Sequence, residues 1–186
     1  MRNNLILHTA HLILRDNINP GDIMIDATMG NGNDTVFLAQ HAQYVYAFDI
    51  QERALIETQK KLDKKKFQNV KLILDSHENI FKYVSHFKGV VFNLGYLPNA
   101  DKTITTKQDI TLKTIETLLP ALKVDSFILI VVYTGHDEGM FESIVLNESL
   151  KNLDQSIYKV LRIDLPFQDN QPPYIFFIHK VKDESI

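Results

Sequence analysis

The residues best placed for chemistry lie in one stretch, Ile23 to Thr35, which reads I-M-I-D-A-T-M-G-N-G-N-D-T. A short apolar run from 23 to 27 carries Asp26, reaches a loop with Gly30 and Gly32, and feeds an amphipathic segment over 35–42. That pattern predicts a strand, a tight turn and a helix start. Glycine serves where backbone takes unusual dihedrals or approaches a ligand closely, and the first amides of a helix attract a carboxylate or phosphate. The loop is therefore expected to hold a cofactor with an anionic group. A dinucleotide fingerprint would need glycine at 35, where this chain has Thr35, so a nicotinamide cofactor fits poorly. Further along, Asp49 ends a run of β-branched and aromatic residues 17 positions after Gly32, close to the spacing of ~20 at which a strand-end carboxylate meets a ribose diol. Gln51, just beyond it, is expected near the adenine or ribose. Asp49 can also serve as the N-cap of a helix over 51–66, and the two roles are compatible.

The string acid-A-T-x-G-x-G-x-D-T resembles motif I of the class I S-adenosylmethionine (SAM)-dependent methyltransferases. In that family the glycine turn passes under the zwitterionic methionine part of SAM. Asn31 and Asn33 suit such a ligand, because an uncharged amide can donate to a carboxylate and accept from an ammonium. Strand three, 70–74, runs into D-S-H-E-N, and in this fold the following loop lies over the adenine, which makes Asp75, Ser76 and His77 candidate contacts. Ser76 and Asp75 can equally cap a helix over 78–84. Strand four, 90–92, runs into N-L-G-Y-L-P, which is similar to the N-P-P-Y motif of amino-group methyltransferases. The likeness gives Asn93 the task of accepting a hydrogen bond from the acceptor amine and Tyr96 that of stacking on the base. Leu94 and Gly95 stand where that motif has prolines. His136, in Y-T-G-H after the fifth strand, is a candidate proton acceptor or simply the polar start of a helix.

Composition sets the bounds. The chain has 186 residues, 45% of them apolar, and a formal charge of −3. One globular domain over 1–186 accounts for that, and RNA contact would have to come from local patches. With no 18-residue apolar run and no signal peptide, the expectation is a cytoplasmic protein without membrane contact. There is no cysteine, which removes Cys-ligated iron–sulfur chemistry and the cysteine adduct used in pyrimidine C5 methylation. The acceptor is thus expected to be nitrogen or oxygen. No metal is called for.

The positioning elements follow from periodicity. A helix is expected over 4–15, where His8 and His11 either contact substrate or flank an apolar face. Helix 51–66 ends in a lysine run. From Gln51 to Lys71 there are seven basic and three acidic residues, a local +4 that suits either RNA phosphate or a solvated face. Helices over 103–121 and 136–150 flank an apolar strand over 124–133, and strands over 157–165 and 174–179 close the chain. The expected fold is α/β, Rossmann-like, with a mostly parallel sheet and a C-terminal antiparallel hairpin.

Taken together, D-A-T-M-G-N-G-N-D-T, F-D-I-Q, D-S-H, N-L-G-Y-L-P, Y-T-G-H and Q-P-P-Y resemble one family across nearly the whole chain: small bacterial proteins labelled rRNA methylases and associated with tRNA 5-aminomethyluridine methylation. The resemblance implies SAM contacts from Asn31, Asn33, Asp49, Gln51, Ser76 and His77. It also implies methylation of the aminomethyl group of a wobble uridine, hence a tRNA anticodon stem-loop as partner, with a homodimer as one candidate way to build the RNA surface. Methylation of rRNA or a small amine, a nicotinamide-dependent oxidoreductase and a non-catalytic nucleotide-binding domain are the alternatives.

Overall fold

The computed structural model describes residues 4–95, 108–135 and 137–183. They fall into two compact units, the first made of residues 11–93 and the second of the described residues within 4–10 and 94–183. Helix α1 (Leu5–Asn17) belongs to both.

The first unit holds four parallel strands: β1 (Ile23–Asp26), β2 (Tyr44–Asp49), β3 (Val70–Leu74) and β4 (Gly89–Asn93). β1 pairs with both β2 and β4, and β2 pairs with β3, so the order across this unit is β3-β2-β1-β4. Parallel pairing in register, Asp26 beside Ala47 and Asp49 beside Leu74, brings the carboxyl ends of β1, β2 and β3 to one edge. Everything the sequence marks as cofactor-binding lies at that edge. Helix α2 (Asn33–His41) follows β1, and helix α3 (Glu52–Lys65) follows β2. In α3 the residues Ala54, Thr58 and Leu62 recur every four positions and are buried, while Lys64, Lys65 and Lys66 are exposed, as a one-faced helix requires. Its end is tight. Lys66 takes φ 59°, and the amides of Lys66 and Phe67 bond back to Asp63 and Leu62. Between β3 and β4 the chain makes a 3₁₀ helix over His77–Lys82 where an α-helix over 78–84 was expected. Its entry is pinned by Asp75, which accepts from the Ser76 amide, Asn79 Nδ2 and Tyr83 Oη. These bonds hold its carboxyl below the usual carboxylate range, the Asn79 bond foremost.

The second unit holds helices α4 (Gln108–Ala121) and α5 (Asp137–Lys151) and strands β5 (Phe127–Val132), β6 (Tyr158–Ile163) and β7 (Tyr174–Lys180). β7 lies antiparallel between β5 and β6, which is the expected terminal hairpin. β5 is buried at every position, and its unbroken run F-I-L-I-V-V reads accordingly. β6, which pairs with β7, is buried at Tyr158 and half-buried or exposed along the rest of its length. The buried Lys180 donates from Nζ to the Leu122 carbonyl at 2.8 Å, satisfying backbone at the end of α4.

Candidate functional site

The loop after β1 is built around Asp26. That carboxylate is fully buried and accepts from Thr35 Oγ1 at 2.6 Å and from the Thr28 amide at 3.2 Å. Burial, reinforced by the negative charge of Asp34, pushes its pKa up to about 7. Thr35 stands where a dinucleotide site would have its third glycine, and its hydroxyl is used instead to tie the start of α2 to β1. Asp26 thus acts on whatever sits over the loop by holding the loop's shape.

Both glycines adopt positive φ, 50° at Gly30 and 72° at Gly32. At Gly32 a second constraint appears: a Cβ there would lie 2.5 Å from Thr58 Oγ1 and 2.7 Å from its Cγ2. Glycine is therefore needed so that α3 can press against the turn. Gly32 is also the N-cap of α2 and offers no side-chain oxygen, so the first amides of that helix have no side-chain cap. Such a terminus suits the carboxylate of an amino-acid-like ligand. Asn31 is half-buried in the turn, and Asn33 is exposed as the first residue of α2, its Oδ1 accepting from Lys61 Nζ at 2.6 Å.

Asp49 is drawn into the same turn. Its Oδ2 accepts from the Gly30 amide at 3.0 Å and its Oδ1 from the Gln51 amide at 2.9 Å. Each oxygen keeps acceptor capacity for a further donor, as a ribose diol would require. Burial raises its pKa, against the lowering effect of the amide bonds from Gln51 and Gly30. Gln51 itself is the N-cap residue of α3, and its side chain makes no capping bond. At the neighbouring strand end, Ser76 caps the 3₁₀ helix by accepting from the Glu78 amide, while His77 is buried edge-on against Phe92, with ring centroids 5.4 Å apart. Burial lowers the His77 pKa to about 4, so its ring is neutral near pH 7.

Asn93 closes β4 next to this loop. Its amide donates to Thr28 Oγ1 at 2.7 Å, and its side-chain Nδ2 donates to Asp34 Oδ2 at 2.8 Å. The other Asp34 oxygen pairs with His11 Nε2 at 2.7 Å. The His11 ring stacks on Phe37 at 4.1 Å, whereas His8 is exposed. Asp34 was visible in sequence only as a letter of the glycine-loop motif, and nothing in its spacing announced Asn93 and His11 as partners. In the second unit, Gly95 meets the ring of Tyr133, where a Cβ would come within 3.2 Å of Cε2. A side chain at this position, where the N-P-P-Y pattern has proline, would be tight against that ring. Tyr96 and His136 lie outside the described residues. No cluster of three or more metal-ligating side chains occurs among the described residues, and no described helix is long and apolar enough to cross a membrane.

The glycine turn, the uncapped helix start and the strand-end carboxylate define the class, a SAM-dependent methyltransferase with a Rossmann-like α/β fold. Within it the chain belongs to the family described as "Putative rRNA methylase", whose model matches residues 45–179. A Streptococcus mutans protein assigned as a methyltransferase and solved with SAH is similar at 41% identity, with a TM-score of 0.88 over 95% of this chain and 98% of that one. A Clostridium thermocellum protein assigned as an rRNA methylase is similar at 38% identity and TM-score 0.90, covering 96% of this chain and 98% of that one. The chloroplastic tRNA (mnm(5)s(2)U34)-methyltransferase of Arabidopsis thaliana is 38% identical over 148 residues, 72% of this chain and 54% of the relative. The chain thus spans about half the length of that relative. These likenesses bear out the fold and cofactor expected from the glycine loop.

Proposed function

We propose that this protein transfers the methyl group of SAM to the primary amine of a 5-aminomethyluridine at the tRNA wobble position, giving 5-methylaminomethyluridine. The observation that carries the reading is Asn93. It ends β4 beside the SAM loop, and its Nδ2 is engaged by Asp34, which leaves Oδ1 as the atom available to accept from an amine. An alkyl amine has a reference pKa near that of Lys, ~10.4, so the site has to favour the neutral form whose lone pair attacks the methyl carbon. The nearby sulfonium charge works in that direction, while an acceptor from Asn93 serves to orient the amine. Alignment of lone pair and methyl then supplies most of the rate enhancement that such a displacement needs. The Arabidopsis relative's name supports the wobble uridine as substrate.

Partner binding belongs to the same proposal. The exposed lysines at the end of α3 offer phosphate contacts to an anticodon stem-loop, and Lys61 links that helix to the SAM loop through Asn33. A homodimer is a candidate assembly for extending the RNA surface. The test is mass spectrometry of nucleosides from cells lacking the protein. The expected result is loss of 5-methylaminomethyluridine derivatives with accumulation of the aminomethyl precursor in tRNA. Unchanged tRNA accompanied by a methyl lost from rRNA would replace this substrate with the one in the family's description.

A further inference from the structure

We infer that Asp34, braced by His11, is a positioning residue that sets which end of the Asn93 amide faces the substrate. This rests on the proposed amine acceptor and goes beyond it by assigning the selection of the amide's orientation to a second side chain. An amide side chain is ambiguous by shape: a rotation of 180° exchanges an acceptor oxygen for a donor NH₂ of nearly the same size. Only one orientation serves the chemistry. With Oδ1 outward, the group accepts an N–H from the amine and keeps the nitrogen lone pair pointed at the methyl; with Nδ2 outward, it would donate to that lone pair and occupy the electrons needed for attack.

Asp34 resolves the ambiguity because a carboxylate can only accept. Its Oδ2 lies 2.8 Å from the Asn93 side-chain nitrogen, so the flipped amide would set two acceptor oxygens against each other at that distance. The other oxygen is held by His11 Nε2 at 2.7 Å, and the imidazole is fixed in turn by stacking on Phe37 with rings 11° from parallel. Asp34 is only 13% exposed, and charge-assisted bonds in such a setting are stronger and better aligned than neutral ones. The backbone of Asn93 is separately anchored to Thr28, so the remaining freedom is the side-chain rotation that Asp34 removes. Four groups, from α1, α2 and the end of β4, form one chain: Phe37, His11, Asp34, Asn93.

A swap of partners tests this. Asn93→Asp alone faces Asp34 with a second carboxylate, and Asp34→Asn with Asn93→Asp restores a donor against an acceptor with the polarity exchanged, leaving an acceptor oxygen at position 93. Turnover on tRNA bearing 5-aminomethyluridine, SAM affinity by calorimetry and melting temperature are measured for the intact protein, Asn93→Ala, Asp34→Ala, Asn93→Asp and the double variant. The expected pattern is a kcat about 10- to 100-fold lower in Asp34→Ala with SAM affinity within about 2-fold, the signature of lost alignment and retained cofactor binding. Asn93→Asp is expected to fall at least as far, and the double variant to recover about 10-fold or more over it. Native kcat in Asp34→Ala, or a double variant no better than Asn93→Asp, would overturn the inference while a deep loss in Asn93→Ala left the amine acceptor standing. No loss in Asn93→Ala, or no transfer by the intact protein, would sink the acceptor reading and the inference with it. His11→Phe keeps the stack and loses the bond; a native kcat there would restrict the device to Asp34 and Asn93 and overturn the bracing role.

Discussion

Replacing Gly32 by alanine tests the physical reading of the loop at its tightest point. Two costs add. A non-glycine residue at φ 72° sits in the left-handed region, which is about 1–2 kcal/mol less favourable for an L-residue. The new methyl also meets Thr58 Oγ1 at 2.5 Å, Cγ2 at 2.7 Å and Cβ at 2.9 Å, and Thr58 is β-branched, wholly buried and fixed in the middle of α3. Overpacking of that kind costs roughly 1–3 kcal/mol, so the total is roughly 2–5 kcal/mol. Thr58→Ala removes the two nearest atoms and leaves the third, so it should recover part of the steric cost and none of the backbone cost. Urea unfolding of the two single variants and the double variant, at constant m-value, gives the coupling directly. We expect the double variant to be about 1–2 kcal/mol more stable than additivity allows. SAM affinity should stay depressed in both Gly32 variants, because the first amides of α2 have moved. A Gly32→Ala protein of native stability, or strictly additive effects, would refute the claim that Gly32 exists to admit α3.

Three further outcomes follow from the same site. Asp49→Ala should weaken SAM binding by about 1.5–3 kcal/mol in calorimetry, the worth of a charge-assisted bond to a diol, and unchanged affinity would remove Asp49 from the ribose. Asp26 has a folded pKa of about 7 against 3.8 for the free group, so the folded form keeps a proton that the unfolded chain releases. Its contribution is full below pH ~4 and lost as pH rises toward 7, an order-of-magnitude loss of ~4 kcal/mol. Asn fits the same donors, since Thr35 Oγ1 can accept instead of donate, so the stability of Asp26→Asn relative to the native chain should climb between pH 4 and 7 in denaturant titrations. Glu142 adds a slope of the same sign and His77 one of opposite sign, lost as pH falls through about 4, but both cancel in that difference. Neutralising Lys60, Lys64, Lys65 and Lys66 together should weaken tRNA binding and flatten its salt dependence with SAM binding intact; an unchanged slope would return them to a solvated helix face.

Much of this molecule is legible in its sequence because local signals and tertiary demands coincide. The β3 bounds, Val70–Leu74, match the expected run, and the other strand ends differ by at most three residues, where turns rather than apolar pattern set the limit. The 3₁₀ helix at His77 was harder to foresee: Asp75 spends its oxygens on Ser76, Asn79 and Tyr83, and that three-way arrangement has no periodicity to read. The glycine loop and Asp49 were legible because they meet at one sheet edge, where Asp49 accepts from the Gly30 amide, and the lengths of a strand, a turn and a helix set the spacing between them. Asp34 was not, since its partners lie 23 residues before it and 59 after it and depend on the chain having folded. Gly95 shows the same limit. The ring it lies against, that of Tyr133, is 38 residues away in sequence.

Methyl transfer from SAM to a primary amine on tRNA can be measured with purified protein, labelled SAM and two forms of one tRNA. With tRNA carrying 5-aminomethyluridine, one labelled methyl should appear per molecule, on the exocyclic nitrogen of the wobble nucleoside by mass spectrometry. The same tRNA transcribed without modification should gain none. Equal labelling of the two, or label on the ring or ribose, would contradict the account.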